Sequence, residues 1–171
     1  MSRLSFIQDK IVSLETAVKR AELWKMKNNK VVFTNGCFDI LHHGHVTYLA
    51  KAAEMGDKLI VALNTDASVK LLGKDINRPI NNEQARLHVL ASLAFVDLVI
   101  LFSNETPLEE ITQISPQILV KGADYDPEMR DSSNKKYIVG SDFVLKNGGE
   151  VKVVELEAGF STSSIIEKIK K

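Results

Sequence analysis

Cysteine is almost missing from this chain of 171 residues: Cys37 is the only one, which excludes an internal disulfide and fits a reducing compartment. An excess of charge is missing too. Lys plus Arg and Asp plus Glu number 22 each, so no overall field recruits nucleic acid or an anionic membrane surface. Long apolar runs are absent, and the opening MSRLSFIQDK lacks the hydrophobic stretch of a signal peptide, so a soluble, cytoplasmic protein is expected. Neither G-x-x-x-x-G-K-[ST] nor G-x-G-x-x-G occurs, so the two commonest glycine-rich phosphate cradles are excluded. Repeats and low-complexity segments are lacking as well. Cys37, between Gly36 and Phe38, stands in no thiol motif and reads as a small packing residue.

What is present is ordinary for one globular core, with 44% hydrophobic and 26% charged residues. Apolar runs alternate with helical patterns. Val31–Phe33, Lys58–Leu63, Val96–Leu101, Ile118–Gly122 and Val151–Leu156 read as strands, the continuous runs as strands buried on both faces. Between them, Ser13 caps a helix reaching about Asn28, and a second helix begins at the histidines and ends at Gly56 in a left-handed position. Ala67–Leu72 fits a short helix, and Asn81 or Asn82 caps another with Ala85, Leu87, Val89, Leu90, Leu93 and Ala94. Thr106 caps a helix with Pro107 in its first turn, Ile138–Lys146 forms a helix closed by Asn147-Gly148-Gly149, and Ser161–Lys170 forms the last. Residues 73–81 and 123–136 read as loops. The pattern predicts an α/β, Rossmann-like, five-stranded parallel sheet with helices on both faces, in a single domain. Residues 1–28 form an arm and helix ahead of a main unit over 29–171.

In such a sheet, ligands bind beyond the carboxyl ends of the strands. That rule gathers Thr34–Asp39 with His42-His43-Gly44-His45, then Asn64-Thr65-Asp66, Lys121–Asp124 and Gly159–Ser164. Glycines, hydroxyls, imidazoles and a lysine at helix starts suit phosphate.

Thr34–His45, T-N-G-C-F-D-I-L-H-H-G-H, resembles the signature of the nucleotidyltransferases with an H-x-G-H motif. That Rossmann-like superfamily includes cytidylyltransferases, pantetheine-phosphate adenylyltransferase and, more distantly, class I tRNA synthetases. The likeness runs from about Ser13 to the C-terminus and is nearest to D-glycero-β-D-manno-heptose 1-phosphate adenylyltransferases. Asn64–Ser68, Arg78–Asn81, Leu119–Tyr125, Asn147–Val151 and Ser161–Ile166 carry it further. A bare H-x-G-H is a weak signal; the T-x-G-x-F-D lead, V-K-G-x-D-Y and S-T-S-S make it specific. The arginine that glycerol-3-phosphate cytidylyltransferases carry before their closing segment is missing from Glu155–Ser161, which counts against that alternative.

The resemblance implies transfer of AMP from ATP to a sugar phosphate with release of pyrophosphate, for lipopolysaccharide core or another envelope glycan. Mg²⁺ would enter with ATP, held mostly by nucleotide oxygens and water rather than by a protein metal cage. His42, His45 and Lys121 would be catalytic, and His43 ordinary surface. Thr34, Asn35, Gly36, Cys37, Phe38, Asp39, Gly44, Asn64, Asp66, Arg86, Gly122, Asp124, Tyr125, Ser161, Thr162 and Ser163 would bind nucleotide or acceptor. Asp39 would pin a loop or a histidine, since a bare carboxylate repels phosphate. Arg86 reads as a phosphate ligand or a surface ion pair, and Lys51 as exposed or reaching phosphate. A homodimer is expected, with the sugar kinase a separate protein because 171 residues leave no room for it. A non-catalytic ATP-binding module is the reading of a different class.

Overall fold

Every apolar run has become a strand of one parallel sheet. The computed structural model describes residues 2–72 and 77–169. In chain order the elements are α1 (Arg3–Gln8), α2 (Leu14–Met26), β1 (Val31–Gly36), α3 (His43–Ala53), β2 (Lys58–Asn64), α4 (Asp66–Leu71) and α5 (Glu83–Ala91). They continue with β3 (Leu98–Phe102), α6 (Leu108–Ile114), β4 (Ile118–Gly122), α7 (Ser141–Lys146), β5 (Glu150–Val154) and α8 (Thr162–Ile169). The strand order is β3-β2-β1-β4-β5, all parallel, so the direction of winding reverses between β1 and β4.

Alternation along each strand builds two cores. Val32, Leu59, Val61, Leu63, Val99, Ile118 and Val120 face α3 and α5, meeting Tyr48, Leu49, Ala52, Leu87 and Leu90. Val31, Phe33, Ile60, Ala62, Leu98, Ile100 and Leu119 face the other way, onto Ala17 and Ala21 of α2, Ile111 and Ile114 of α6, and Val144 of α7. Each fully buried Val, Leu or Ile side chain contributes roughly 1.5–3 kcal/mol, so this alternation fixes which residues are left for the sheet's ends. Among the described residues, no helix is long and apolar enough to cross a membrane.

Several local expectations are corrected. The N-terminal arm contains α1, capped by Ser2, and Ile11 then bridges Val99 beside β3. Gly56 is not left-handed; a Cβ there would come within 2.6 Å of Val32 Cγ2 and 2.8 Å of the Lys30 carbonyl, so close packing demands the glycine. Thr106 does not cap α6, whose start at Pro107 has no side-chain cap. Helix α7 begins at Ser141 rather than Ile138, after Gly140 at φ +84°. On α5, Val89 is exposed and Arg86 is buried in its place. Ser13 and Asn82 cap α2 and α5 as expected. The loop expected over 73–81 has its residues 73–76 outside the described residues.

Candidate functional site

A cavity of about 870 Å³ opens at the carboxyl ends of the strands, at the reversal between β1 and β4. That is where an open α/β sheet leaves its crevice, and the volume suits a nucleotide-sized ligand. Asn35–Asp39 run from the end of β1 into its wall, Asn64 ends β2, and Lys121 and Gly122 end β4 with Asp124 and Tyr125 just after it. His42, Gly44 and His45 come from the start of α3, and Ser161–Ser163 from the start of α8.

The two motif histidines form one unit. His42 is the N-cap of α3, its extended backbone at φ −141° and ψ 171°, and its Nδ1 accepts the His45 amide at 3.3 Å. The imidazoles stack with centroids 3.7 Å apart. A cap that consumes Nδ1 as acceptor puts the ring proton of neutral His42 on Nε2, and burial holds its pKa below the ordinary histidine value. The cap thus leaves Nε2–H of the same residue free of the helix, on the wall of the cavity. Phe38, at a left-handed φ of 42°, presses its ring edge-on to His45 at 5.2 Å. A bulky residue in that region stores strain, which concentrates at functional sites. Gly44 is buried where a Cβ would meet Phe160 Cβ at 3.1 Å and the His42 ring at 3.3 Å. His43 is exposed and packs edge-on against Phe160.

Asp39 pins a loop, one of the two roles expected of it. Its buried carboxylate accepts Ile80 N at 2.8 Å, Asn81 N at 2.9 Å and Arg78 Nε at 3.0 Å. Burial pushes its pKa up, but the Asn81 and Ile80 amides and the Arg78 guanidinium outweigh this and leave it lowered. Arg86 is neither a surface ion pair nor on the cavity wall. Only 2% exposed, it donates to the Cys37 carbonyl at 2.8 Å, the Asn81 carbonyl at 3.0 Å and Asp66 Oδ1 at 2.6 Å. It braces the β1 turn against the start of α4. Cys37 is buried, its thiol donating to Asn64 Oδ1 at 3.6 Å, in keeping with a packing role.

Lys121 enters the cavity beside the Tyr125 ring, its Nζ 5.1 Å from the ring centroid. Burial lowers its pKa to about 8, against the raising influence of Asp124 and Cys37. Such a lysine gains from an anion that restores its charge. At α8, Ser161 Oγ accepts Ser164 N at 3.0 Å and Ser164 Oγ accepts Ser161 N at 3.3 Å, a reciprocal cap facing the cavity. Lys51 is held by Glu157 at 3.0 Å.

Among the described residues lining the cavity, three expected ones are not found: Thr34, Asp66 and Arg86 lie behind the wall. Thr34 points the opposite way along β1 from Asn35 and is fully buried. The sequence reading missed Tyr48, Arg78, Phe102, Tyr137 and Phe160, which do line it. Arg78 carried a signal, inside a segment singled out for its resemblance, and Phe160 lay within the Gly159–Ser164 group gathered at the sheet's edge. Among the described residues, no group of three or more His, Cys, Asp or Glu could hold a metal ion.

A family model described as cytidylyltransferase-like matches residues 33–168. The bifunctional protein HldE of Azorhizobium caulinodans is 51% identical over 158 residues, covering 92% of this chain and 31% of that protein. HldE of Campylobacter jejuni is 50% identical over 94% of this chain and 33% of its own length. The chain therefore spans about a third of the length of these curated relatives. A solved lipopolysaccharide core biosynthesis protein from Thermoplasma volcanium aligns with TM-score 0.57 and 29% identity, over 75% of this chain and 97% of that one. Pantoate-beta-alanine ligase from Francisella tularensis, solved with beta-gamma ATP and beta-alanine, shares the fold at TM-score 0.55 and 15% identity, over 94% of this chain and 76% of that one.

Proposed function

This chain belongs to the cytidylyltransferase-like family, and from that premise we propose that it transfers AMP from ATP to D-glycero-β-D-manno-heptose 1-phosphate. The products are ADP-heptose, for lipopolysaccharide core or another envelope glycan, and pyrophosphate. The observation that carries the reading is the stacked His42–His45 pair at the start of α3, facing the same cavity as Lys121 of β4. Half-identity to HldE proteins over more than nine-tenths of the chain supports it.

An oxygen of the sugar phosphate attacks the α-phosphorus, the new P–O bond forms, and the bond to the β-phosphate breaks as pyrophosphate leaves. Charge on the phosphoryl oxygens is what the protein must stabilise. His42 donates from Nε2, His45 sits against it, and Lys121 supplies positive charge from the opposite side of the crevice. The starts of α3 and α8 add amide dipoles, with Gly44 allowing close backbone approach and Ser161, Thr162 and Ser163 bordering the triphosphate. Asn35–Phe38, Asn64, Gly122, Asp124 and Tyr125 border the nucleotide and acceptor. Asp39 in the wall, and Asp66 and Arg86 behind it, act by holding the loops. Mg²⁺ would arrive with ATP and neutralise triphosphate charge. Nucleotide oxygens and water would hold most of its coordination sphere.

The reading extends to a catalytic unit over 29–171 with 1–28 as an added arm and helix, a homodimer, a cytoplasmic setting and a sugar kinase activity upstream that makes the sugar 1-phosphate. Its test is pyrophosphate release with ATP and CTP against heptose 1-phosphate, glycerol 3-phosphate and ethanolamine phosphate. Turnover with ATP and heptose 1-phosphate is expected. Turnover only with CTP overturns the adenylyl assignment, and ATP binding without turnover on any acceptor favours a non-catalytic module.

A further inference from the structure

Strands β1 and β4 stay together for only two residue pairs among the described residues, Val32 with Ile118 and Phe33 with Leu119. By contrast, β1 pairs with β2 at six positions and β4 with β5 at five. Beyond Phe33 and Leu119 both strands run on, to Gly36 and Gly122, without pairing to each other. The cavity opens there. The next residue on each side is Thr34 and Val120, and one side chain from α3 reaches both. Tyr48 Oη lies 2.7 Å from Thr34 Oγ1 and donates to the Val120 carbonyl oxygen at 3.2 Å. A phenol has a single proton to give, so the Thr34 hydroxyl donates to Tyr48. A directed chain of bonds, Thr34 to Tyr48 to Val120, therefore spans the split.

The position of Tyr48 gives that chain its use. His45 is three residues earlier on the same helix, and Lys121 directly follows Val120. We propose that Tyr48 is a positioning residue for nucleotidyl transfer: its hydroxyl fixes the helix that carries His42 and His45 against the strand that carries Lys121. The inference rests on the transfer reading above. Phenylalanine would fill the same apolar volume, so packing alone does not require the hydroxyl. A continuous ladder would hold β1 to β4 but would close the crevice, whereas the tyrosine holds the strands while leaving them apart. Burial and the neighbouring Asp124 and Tyr125 raise the Tyr48 pKa, and the Thr34 bond opposes this, so the phenol stays neutral and keeps its donor.

Tyr48→Phe is the test, read in two ways. In steady-state pyrophosphate release, kcat should fall on the order of tenfold while the KM for ATP stays within about twofold, because misplacement acts on the transition state more than on binding. Independently of turnover, [¹³C]lysine NMR, with Lys121 assigned from Lys121→Met, should show the Lys121 titration moved upward as water enters the split. Thr34→Val removes the first bond and keeps the tyrosine, and it should shift both readouts in the same direction by less. It carries the test if Tyr48→Phe does not fold. Wild-type kcat and wild-type Lys121 titration, with only a lower Tm, overturn the proposal and leave Tyr48 as packing. If the unmodified protein releases no pyrophosphate with any pair, the transfer reading fails. The NMR arm then still decides whether Tyr48 positions Lys121.

Discussion

His42 and His45 lie ring on ring, centroids 3.7 Å apart and planes 19° from parallel, while His42 Nδ1 holds the His45 amide at 3.3 Å. The helix cap thus fixes the tautomer of the imidazole it uses. Two protonated rings at that separation repel, and the cap itself requires an unprotonated Nδ1, so His42 is held neutral with Nε2–H as its donor, and in the proposed transfer it would act as a donor rather than as a base.

Cap and chemistry can be separated by substitution. His42→Ala loses both and should cost about 1 kcal/mol of stability with a kcat fall on the order of 10²-fold. His42→Asn replaces the cap with one of the strongest capping residues, so thermal unfolding should return close to wild type while turnover stays low. Recovery of turnover in His42→Asn would mean that the cap is all His42 contributes.

His45 stacks on His42 but does not cap the helix with its side chain, so its removal should act on the rate. His45→Ala is expected to lower kcat far more than nucleotide affinity, since a contact to developing charge strengthens in the transition state. Calorimetric ATP binding beside steady-state kinetics checks this. Matching losses in affinity and kcat would contradict it.

These two residues were plain in the sequence, because a motif at a helix start after a glycine turn has a local cause. The strands were plain for the same reason, being continuous apolar runs. What was not legible depends on distant partners. Arg86 sits at a position whose burial is made possible by acceptors at Cys37, Asn81 and Asp66, up to 49 residues away. Tyr48 reads as any core aromatic at helical spacing until β1 and β4 are seen to separate. Gly56 reads from the sequence as a left-handed turn, and only the position of Val32 shows that close approach is the reason for a glycine. Thr34 could have been assigned inward from strand alternation with Asn35, a signal that was available and outweighed by the motif.

The pH profile should carry the signatures of Lys121 and His42. With the Lys121 pKa lowered to about 8, kcat/KM should decline as pH rises through that value. Lys121→Arg, always charged, should lack this limb. Because the folded value lies below that of the unfolded chain, this lysine's share of stability is greatest above about pH 10.5 and is lost as pH falls through about 8. His42 follows the same sign: its share is present above about pH 6.5 and is lost as pH falls through its lowered folded value. A basic limb that persists in Lys121→Arg would assign it elsewhere.

Asp39 offers a test of whether loop anchoring depends on charge. Its carboxylate takes two backbone amides and Arg78, so in Asp39→Asn an amide NH₂ must face donors or Arg78 must lose its partner. The expected loss is about 3 kcal/mol in denaturant unfolding, with faster hydrogen exchange at Ile80 and Asn81. Its pKa is lowered in the fold, so the stabilisation is present above about pH 4 and disappears as pH falls through the folded value. The gap between wild type and Asp39→Asn should therefore narrow in acid. Gly56→Ala provides the contrast, because its cost comes from a Cβ forced within 2.8 Å of the Lys30 carbonyl, and nothing in that clash titrates. Its gap to wild type should hold constant over the same range. A gap for Asp39→Asn that is equally constant would mean that the carboxylate works by shape rather than by charge.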